Sequence, residues 1–299
     1  MSKQTIYLRL GGGLGNQIFQ YMAGLYVAEI HGAKAVFDLA GVEASHHGPK
    51  SSITNIAFPN LEPSSGWVRT SWKIKLRVAG NRKFLVNFLK ICRMDKLGYE
   101  DFTMYSNGSI RLLEGFFITH KYMVSLHEKG MIGELKLRNP SEWFLSMVNE
   151  TESKKVCAIH IRQGDYLQNW KHYGILSSNY YSRALNHLHL GQQIDEYWIF
   201  SDTPETASQI IQSCGIDNYK IIVQPFESND SESMALMSSC DAIVCANSTF
   251  SIVSALFSKA SRIIVPDVLY RSLPNPAELY PSDWIQIESE WLQVVEGKE

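Results

Sequence analysis

At 299 residues, 45% of them hydrophobic and 19% charged, the chain is long enough for two domains that each bury a core, and too apolar to be disordered. Its formal net charge of −2 excludes a general electrostatic attraction to nucleic acid. No apolar run reaches the roughly eighteen residues of a membrane span, and the opening MSKQTIYLRL lacks the long apolar core of a secretory leader, so a soluble, cytoplasmic protein is expected.

Residues 5–10, TIYLRL, are predicted as a short strand running straight into GGGLGNQ. Beyond that loop Ile18, Tyr21, Met22, Leu25 and Ala28 recur at helical spacing, which predicts an amphipathic helix ending near Gly32, and residues 34–40 follow as a second strand. Strand, glycine loop, helix, strand is the opening of a doubly wound α/β domain. The bare glycines let backbone N–H groups approach an anion or a sugar, so Gly12, Asn16 and Gln17 are candidate ligand contacts at a helix N-terminus. The alternative is a glycine-rich turn with no ligand. The dinucleotide fingerprint G-x-G-x-x-G is not met in its proper form, and Asp38 alone offers an acidic residue near the end of the second strand, so a nucleotide-dependent oxidoreductase fits poorly.

Residues 41–66, rich in Ser, Pro, His and Gly, are expected to be a long connection. The next thirty, 67–96, are basic: Arg69, Lys73, Lys75, Arg77, Arg82, Lys83, Lys90, Arg93 and Lys96 are relieved only by Asp95. Phe84, Leu85, Phe88, Leu89 and Cys92 share one face of a helix in this stretch. Such a helix either lies against an anionic membrane surface or presents a solvated face over a local core. A strand over 111–117, helical spacing over 122–137 and a helix around 141–148 lead into the polar NETESKK, where the domain boundary is placed: residues 1–152 and 153–299.

The second half alternates more cleanly. The apolar run 156–161, VCAIHI, predicts a buried parallel strand that delivers His160, Arg162, Gly164 and Asp165 at its C-terminal end. A helix over 180–190, a strand over 196–200 and the turn SDTP follow, with Ser201, Asp202 or Thr203 capping the next helix and Pro204 in its first turn. Strand 221–224, helix 233–240, strand 242–246 and strand 262–266 complete the series, and Asn247, Ser248, Thr249 and Phe250 open the helix between the last two. Strands alternating with helices imply a parallel sheet covered on both faces. Five cysteines (Cys92, Cys157, Cys214, Cys240 and Cys245) without C-x-x-C spacing predict buried free thiols rather than bridges or a metal site.

Arg162 carries the first functional expectation. An arginine at a strand's C-terminal end presents a rigid, permanently charged fork suited to a diphosphate, and Asp165 beside a glycine sits where a loop can aim a carboxylate. The other reading of that pair is a structural ion pair.

Taken in order, GGGLGNQIFQ, HIRQGDY and DAIVCANSTFS resemble the motifs of the inverting α-1,2-fucosyltransferases, glycosyltransferase family 11 of bacterial type, over nearly the whole chain. The chain departs from that family in two places: Ile252-Val253 stands where a tryptophan pair is usual, and Gln163 where a second arginine is common. The resemblance implies a GT-B-like α/β fold of two Rossmann-like doubly wound domains facing a cleft. Residues 1–152 would form the acceptor-side domain and 153–299 the GDP-sugar-binding domain. It implies transfer of L-fucose from GDP-β-L-fucose to the 2-hydroxyl of a galactose residue, with inversion.

On this view His160, Arg162, Asn247, Ser248, Thr249 and Phe250 meet the donor nucleotide, with Gly12, Asn16 and Gln17 added from the first domain. Asp230 or Glu232 would read the guanine edge, and Trp170, His172 and Tyr173 would meet the galactose-terminated acceptor. Negative charge builds on the departing diphosphate, and no D-x-D motif is present to hold a metal ion against it, Asp230-Ser231-Glu232 coming nearest. Arg162 is therefore expected to supply the positive potential without metal or other cofactor. Asp165 either accepts the proton of the acceptor hydroxyl or orients Arg162 and His160. Other readings are a transferase using another GDP-sugar and a sugar-binding protein without catalysis. Peripheral contact with an anionic membrane from the cytoplasmic side accompanies the expected function through the basic stretch.

Overall fold

The computed structural model describes residues 4–43, 49–59, 61, 74–75, 77, 83–94, 97–189 and 193–293. The chain forms two compact units: the first is Met1–Lys136 with Pro276–Tyr280, the second Leu137–Asn275 with Pro281–Glu299. This moves the boundary from the polar stretch around residue 152. The helix Glu142–Glu152 packs on the helix Asp230–Ser238 of the second unit. Glu232 explains why: its buried carboxylate accepts hydrogen bonds from the backbone N–H (2.8 Å) and hydroxyl (2.8 Å) of Ser141, the residue that caps that helix.

The first unit is a four-stranded parallel sheet in the order β2-β1-β4-β3, with β1 Thr5–Arg9, β2 Lys34–Asp38, β3 Ile91–Arg93 and β4 Leu112–Glu114. The helix Leu14–Ile30 connects β1 to β2 and is buried along most of its length, because the helix Lys121–Glu128 packs on it as well as the sheet. The segment Pro276–Tyr280 returns to this unit late in the chain. There the backbone N–H of Tyr99 donates to the Ala277 carbonyl (3.1 Å) and the Thr119 hydroxyl to the Glu278 carbonyl (2.6 Å).

Strand β3 replaces part of the expected basic helix. The helix spans only Lys83–Phe88, Lys90 turns the chain with φ 57°, and Cys92 lies in the strand. The apolar residues divide accordingly: Leu85, Val86 and Leu89 pack on Ile91 and Leu112, while Phe84 and Phe88 point outward, 78% and 73% exposed. Arg69, Lys73, Arg82 and Lys96 of the basic stretch, and residues 44–48, 60 and 62–66 of the connection, lie outside the described residues.

The second unit is a six-stranded parallel sheet. Its strands are β5 Val156–Ile161, β6 Glu196–Ser201, β7 Tyr219–Ile221, β8 Ala242–Val244, β9 Arg262–Pro266 and β10 Ile285–Ile287, in the order β10-β9-β8-β5-β6-β7. The first strand of the unit is thus central: its successors run outward on one side, and the chain then crosses over to build the other. Every residue of β5 is buried, as its unbroken apolar run requires. In such a sheet the crevice beyond the carboxyl ends of the two strands flanking the reversal, here β5 and β8, is where ligands bind.

Candidate functional site

Arg162 leaves β5 at that reversal. Its Nη2 lies 2.6 Å from Asp165 Oδ1 and its Nη1 3.0 Å from Asp202 Oδ2, while the guanidinium stands 5.6 Å from the centre of the Tyr166 ring. Asp202 follows β6, the register neighbour of β5, and its other oxygen accepts from the backbone N–H of Gln163 (3.0 Å). A Cβ on Gly164 would collide with Asp202 Oδ2, so the glycine of the sequence motif makes room for a carboxylate from another strand. The fork is fixed from two sides, with Asp202 at 22% and Asp165 at 41% side-chain exposure. Asp202 was considered from sequence only as a helix cap. The cap position falls to Thr203, which makes no side-chain cap bond, and nothing local in SDTP announces the partner across the sheet.

On the β8 side, Ser248 caps the helix Thr249–Leu256, accepting from the Phe250 backbone N–H (3.3 Å). Asn247 is buried. Its amide nitrogen donates to the carbonyls of Tyr173 (3.0 Å) and Gly174 (3.2 Å), and its Oδ1 has no hydrogen-bond partner among the described residues. His160, 5% exposed, packs against Phe250 with ring centres 5.6 Å apart, and its Nδ1 is likewise without a partner there. Burial first, and the Arg162 charge second, pull the His160 pKa down to about 3, so the ring is a neutral hydrogen-bonding group at neutral pH. Two buried polar atoms lacking partners, on residues at the ends of adjacent strands, call for an explanation that a purely structural site does not need.

The structure redirects several expectations. Glu232, 1% exposed with both oxygens on Ser141, holds two helices together and presents no edge to a base. Asp230 lies in the first turn of the same helix. Trp170 and Tyr173 are not open platforms: the Arg271 guanidinium lies 4.9 Å from the Trp170 ring, and Tyr173 stacks on Tyr166 at 4.8 Å and leans on Tyr270 at 5.8 Å. His172 is exposed, its Nδ1 3.1 Å from the Ser272 hydroxyl.

In the first unit Gln17 is fully buried. Its amide donates to the carbonyls of Gly12 (2.9 Å) and Ser51 (2.9 Å) and accepts from the Ile53 N–H (2.9 Å), so both its donors are spent within the first unit and the side chain offers no surface to a sugar. Gln20, which sequence reasoning passed over, accepts from the Gly11 N–H (2.8 Å) and donates to the Gly115 carbonyl (3.0 Å), tying the glycine loop to the end of β4. Gly12 adopts φ 78°, and a side chain there would press on Asn16, whose buried Oδ1 has no hydrogen-bond partner among the described residues. Among the described residues no group of three His, Cys, Asp or Glu side chains is arranged to hold a metal ion.

Among solved structures the chain resembles the fucosyltransferase NodZ from Bradyrhizobium, at 11% identity over 93% of this chain and 97% of that one, with a TM-score of 0.55. It also resembles NodZ α-1,6-fucosyltransferase co-crystallised with GDP, at 12% identity over 89% and 96%, with a TM-score of 0.56. Two parallel-sheet α/β units in this arrangement of strands are the framework of the GT-B glycosyltransferases, and the chain is of that class. It belongs to glycosyl transferase family 11, whose sequence model matches residues 80–288. Two Escherichia coli proteins are similar along its length. The O-antigen biosynthesis glycosyltransferase WbnK is 24% identical over 94% of this chain and all of the relative, and an α-1,2-colitosyltransferase is 25% identical over 95% and 99%.

Proposed function

We propose that this glycosyltransferase moves L-fucose from GDP-β-L-fucose to the 2-hydroxyl of a galactose residue, with inversion and without a metal ion. The observation that carries the proposal is Arg162, a cation held at the sheet's reversal point by Asp202 and shared with Asp165. In the reaction the bond from the fucose anomeric carbon to the β-phosphate oxygen breaks, and the acceptor oxygen bonds to that carbon. The hydroxyl proton passes to a base, and the electron pair leaves with GDP. The largest electrostatic demand is at the leaving diphosphate, which a fixed guanidinium meets.

The two carboxylates then differ in role. A diphosphate competes with the more exposed partner, Asp165, for Nη2, whereas Asp202 stays on Nη1 and on the Gln163 amide. Donor binding thereby frees Asp165 to accept the proton of the incoming hydroxyl. His160 and Asn247 offer their unpaired atoms to the nucleotide beside the capped helix at Ser248, Thr249 and Phe250. Asp230 remains the candidate for the guanine edge.

Incubation with GDP-fucose and a panel of galactosides in excess EDTA tests this. The expected product is fucosyl-α-1,2-galactose, identified by NMR, with one GDP released per linkage. Loss of transfer on chelation, or tighter binding of UDP than of GDP, would overturn it. A second reading rests on the colitosyltransferase relative: the same reaction with GDP-colitose, whose sugar lacks the 3-hydroxyl of fucose. Comparing kcat/KM for the two donors separates them. The outward Phe84 and Phe88 next to Lys83 also support peripheral contact with an anionic bilayer. Equal sedimentation with neutral and anionic vesicles at low salt would exclude that contact.

A further inference from the structure

Arg271 carries a positive charge that the fold does not match. Its Nη1 is buried without a hydrogen-bond partner among the described residues, and no described carboxylate pairs with the guanidinium. What the guanidinium touches is the Trp170 ring, 4.9 Å away, with Lys171 Nζ 5.7 Å from the same ring. A buried donor left without an acceptor is destabilising, the more so on a charged group, and contact with an indole face offsets only part of that. An acceptor atom from outside the chain would relieve it.

The segments that border the donor crevice also fix Arg271. Its backbone N–H donates to the Tyr173 carbonyl (3.3 Å), the oxygen that also accepts from the Asn247 side-chain amide (3.0 Å). The Ser272 N–H donates to the His172 carbonyl (3.3 Å) and the Ser272 hydroxyl meets the His172 ring, so residues 170–173 and 270–272 hold each other. Gly174 ends the first of these segments at φ 75°, with the Trp291 ring where a side chain would go. The loop after β9 is thereby built onto the segment after β5. Arg271 does not share the post of Arg162, however. Ring contacts run in series from Arg162 to Tyr166 (5.6 Å), Tyr166 to Tyr173 (4.8 Å) and Tyr173 to Tyr270 (5.8 Å), and Arg271 follows the last of these rings. The donor carries one diphosphate, which Arg162 meets. The other reactant is the saccharide.

We propose that Arg271 reads an oxyanion, carboxylate or phosphate, on the acceptor saccharide, so that the preferred substrate is an acidic galactoside. The proposal rests on the transferase reading above and adds the chemical class of its acceptor. The acid group takes the guanidinium fork in parallel hydrogen bonds, and the Trp170 indole it uncovers meets the C–H face of the sugar.

Saturation-transfer NMR on the full chain, without donor, compares a galactosyl-glucose disaccharide, the galactosyl-glucuronate that differs from it by one carboxyl group, and methyl galactoside 6-phosphate. At least one acid should bind about tenfold tighter than the neutral disaccharide, and the preference should shrink at high salt. A tighter carboxylate identifies a uronate acceptor, a tighter phosphate a phosphorylated one. Arg271→Gln should bring acidic and neutral ligands within about twofold of each other, and Arg271→Lys should keep part of the preference, both with GDP affinity and Tm near wild type. In transfer assays with the acidic acceptor the loss should fall on KM rather than on kcat. Should Arg271→Gln fail to fold, Arg271→Lys and the wild-type ratio of acidic to neutral binding decide. The proposal falls if the wild type binds acidic and neutral galactosides alike or if the preference survives in Arg271→Gln. It falls equally if that variant loses GDP affinity instead, which would put the guanidinium on the diphosphate. An acid preference that depends on Arg271, in a protein that does not bind GDP, would sink the donor reading alone.

Discussion

At the scale of single residues the site turns on how Arg162 is shared. Lysine cannot occupy two partners with a rigid fork, so Arg162→Lys should lower turnover about 10³-fold while leaving Tm near wild type, as single-turnover kinetics and thermal unfolding would show. If Asp165 competes with the diphosphate, Asp165→Asn should bind GDP at least as tightly as wild type yet lose about 10²-fold or more in kcat. A variant with unchanged kcat would remove it as the base. Asp202→Asn keeps an acceptor for the Gln163 amide but loses the charge on Nη1, and Gly164→Ala pushes the same carboxylate away. Both should weaken GDP binding about tenfold by calorimetry. Arg162 and Asp165 were legible because they directly follow an unbroken apolar run. Asp202 was not, because its role exists only once β6 pairs with β5 and brings residues 162 and 202 together.

At the scale of elements, the helix Glu142–Glu152 depends on a cap that is itself held by another helix. Ser141→Ala removes the hydroxyl from a buried carboxylate as well as from the Phe144 N–H, and should cost about 1–3 kcal/mol in urea unfolding. An unchanged midpoint would show that the Glu232 contact contributes nothing. The same contact shows why an acidic residue in a plausible nucleotide-binding position can be misleading: sequence gives the charge but not the partner that neutralises its cost. Most strands and helices of the second unit were readable from period and breakers. The strand Ile91–Arg93 was not, since Phe84, Leu85, Phe88, Leu89 and Cys92 keep a helical spacing across a point where Lys90 reverses the backbone.

For the whole molecule, one buried group contributes a definite acid response. His160 titrates near 3 when folded and near 6.5 when unfolded, so over that window the unfolded chain takes up a proton that the folded one refuses. Its contribution is intact above about pH 6.5 and is lost as the pH falls, by about 2 kcal/mol between pH 6.5 and 5.0. Urea titrations at several pH values should show this slope in the wild type and a flatter one in His160→Asn; parallel slopes would place the acid sensitivity elsewhere.

The late return of Pro276–Tyr280 to the first unit has a consequence for anyone recombining family members. A chimera spliced once, near residue 136, would import a foreign pentapeptide into the recipient's lobe, opposite its Tyr99 and Thr119. Exchange of donor specificity by shuffling therefore needs three junctions, so that the recipient retains its own five residues.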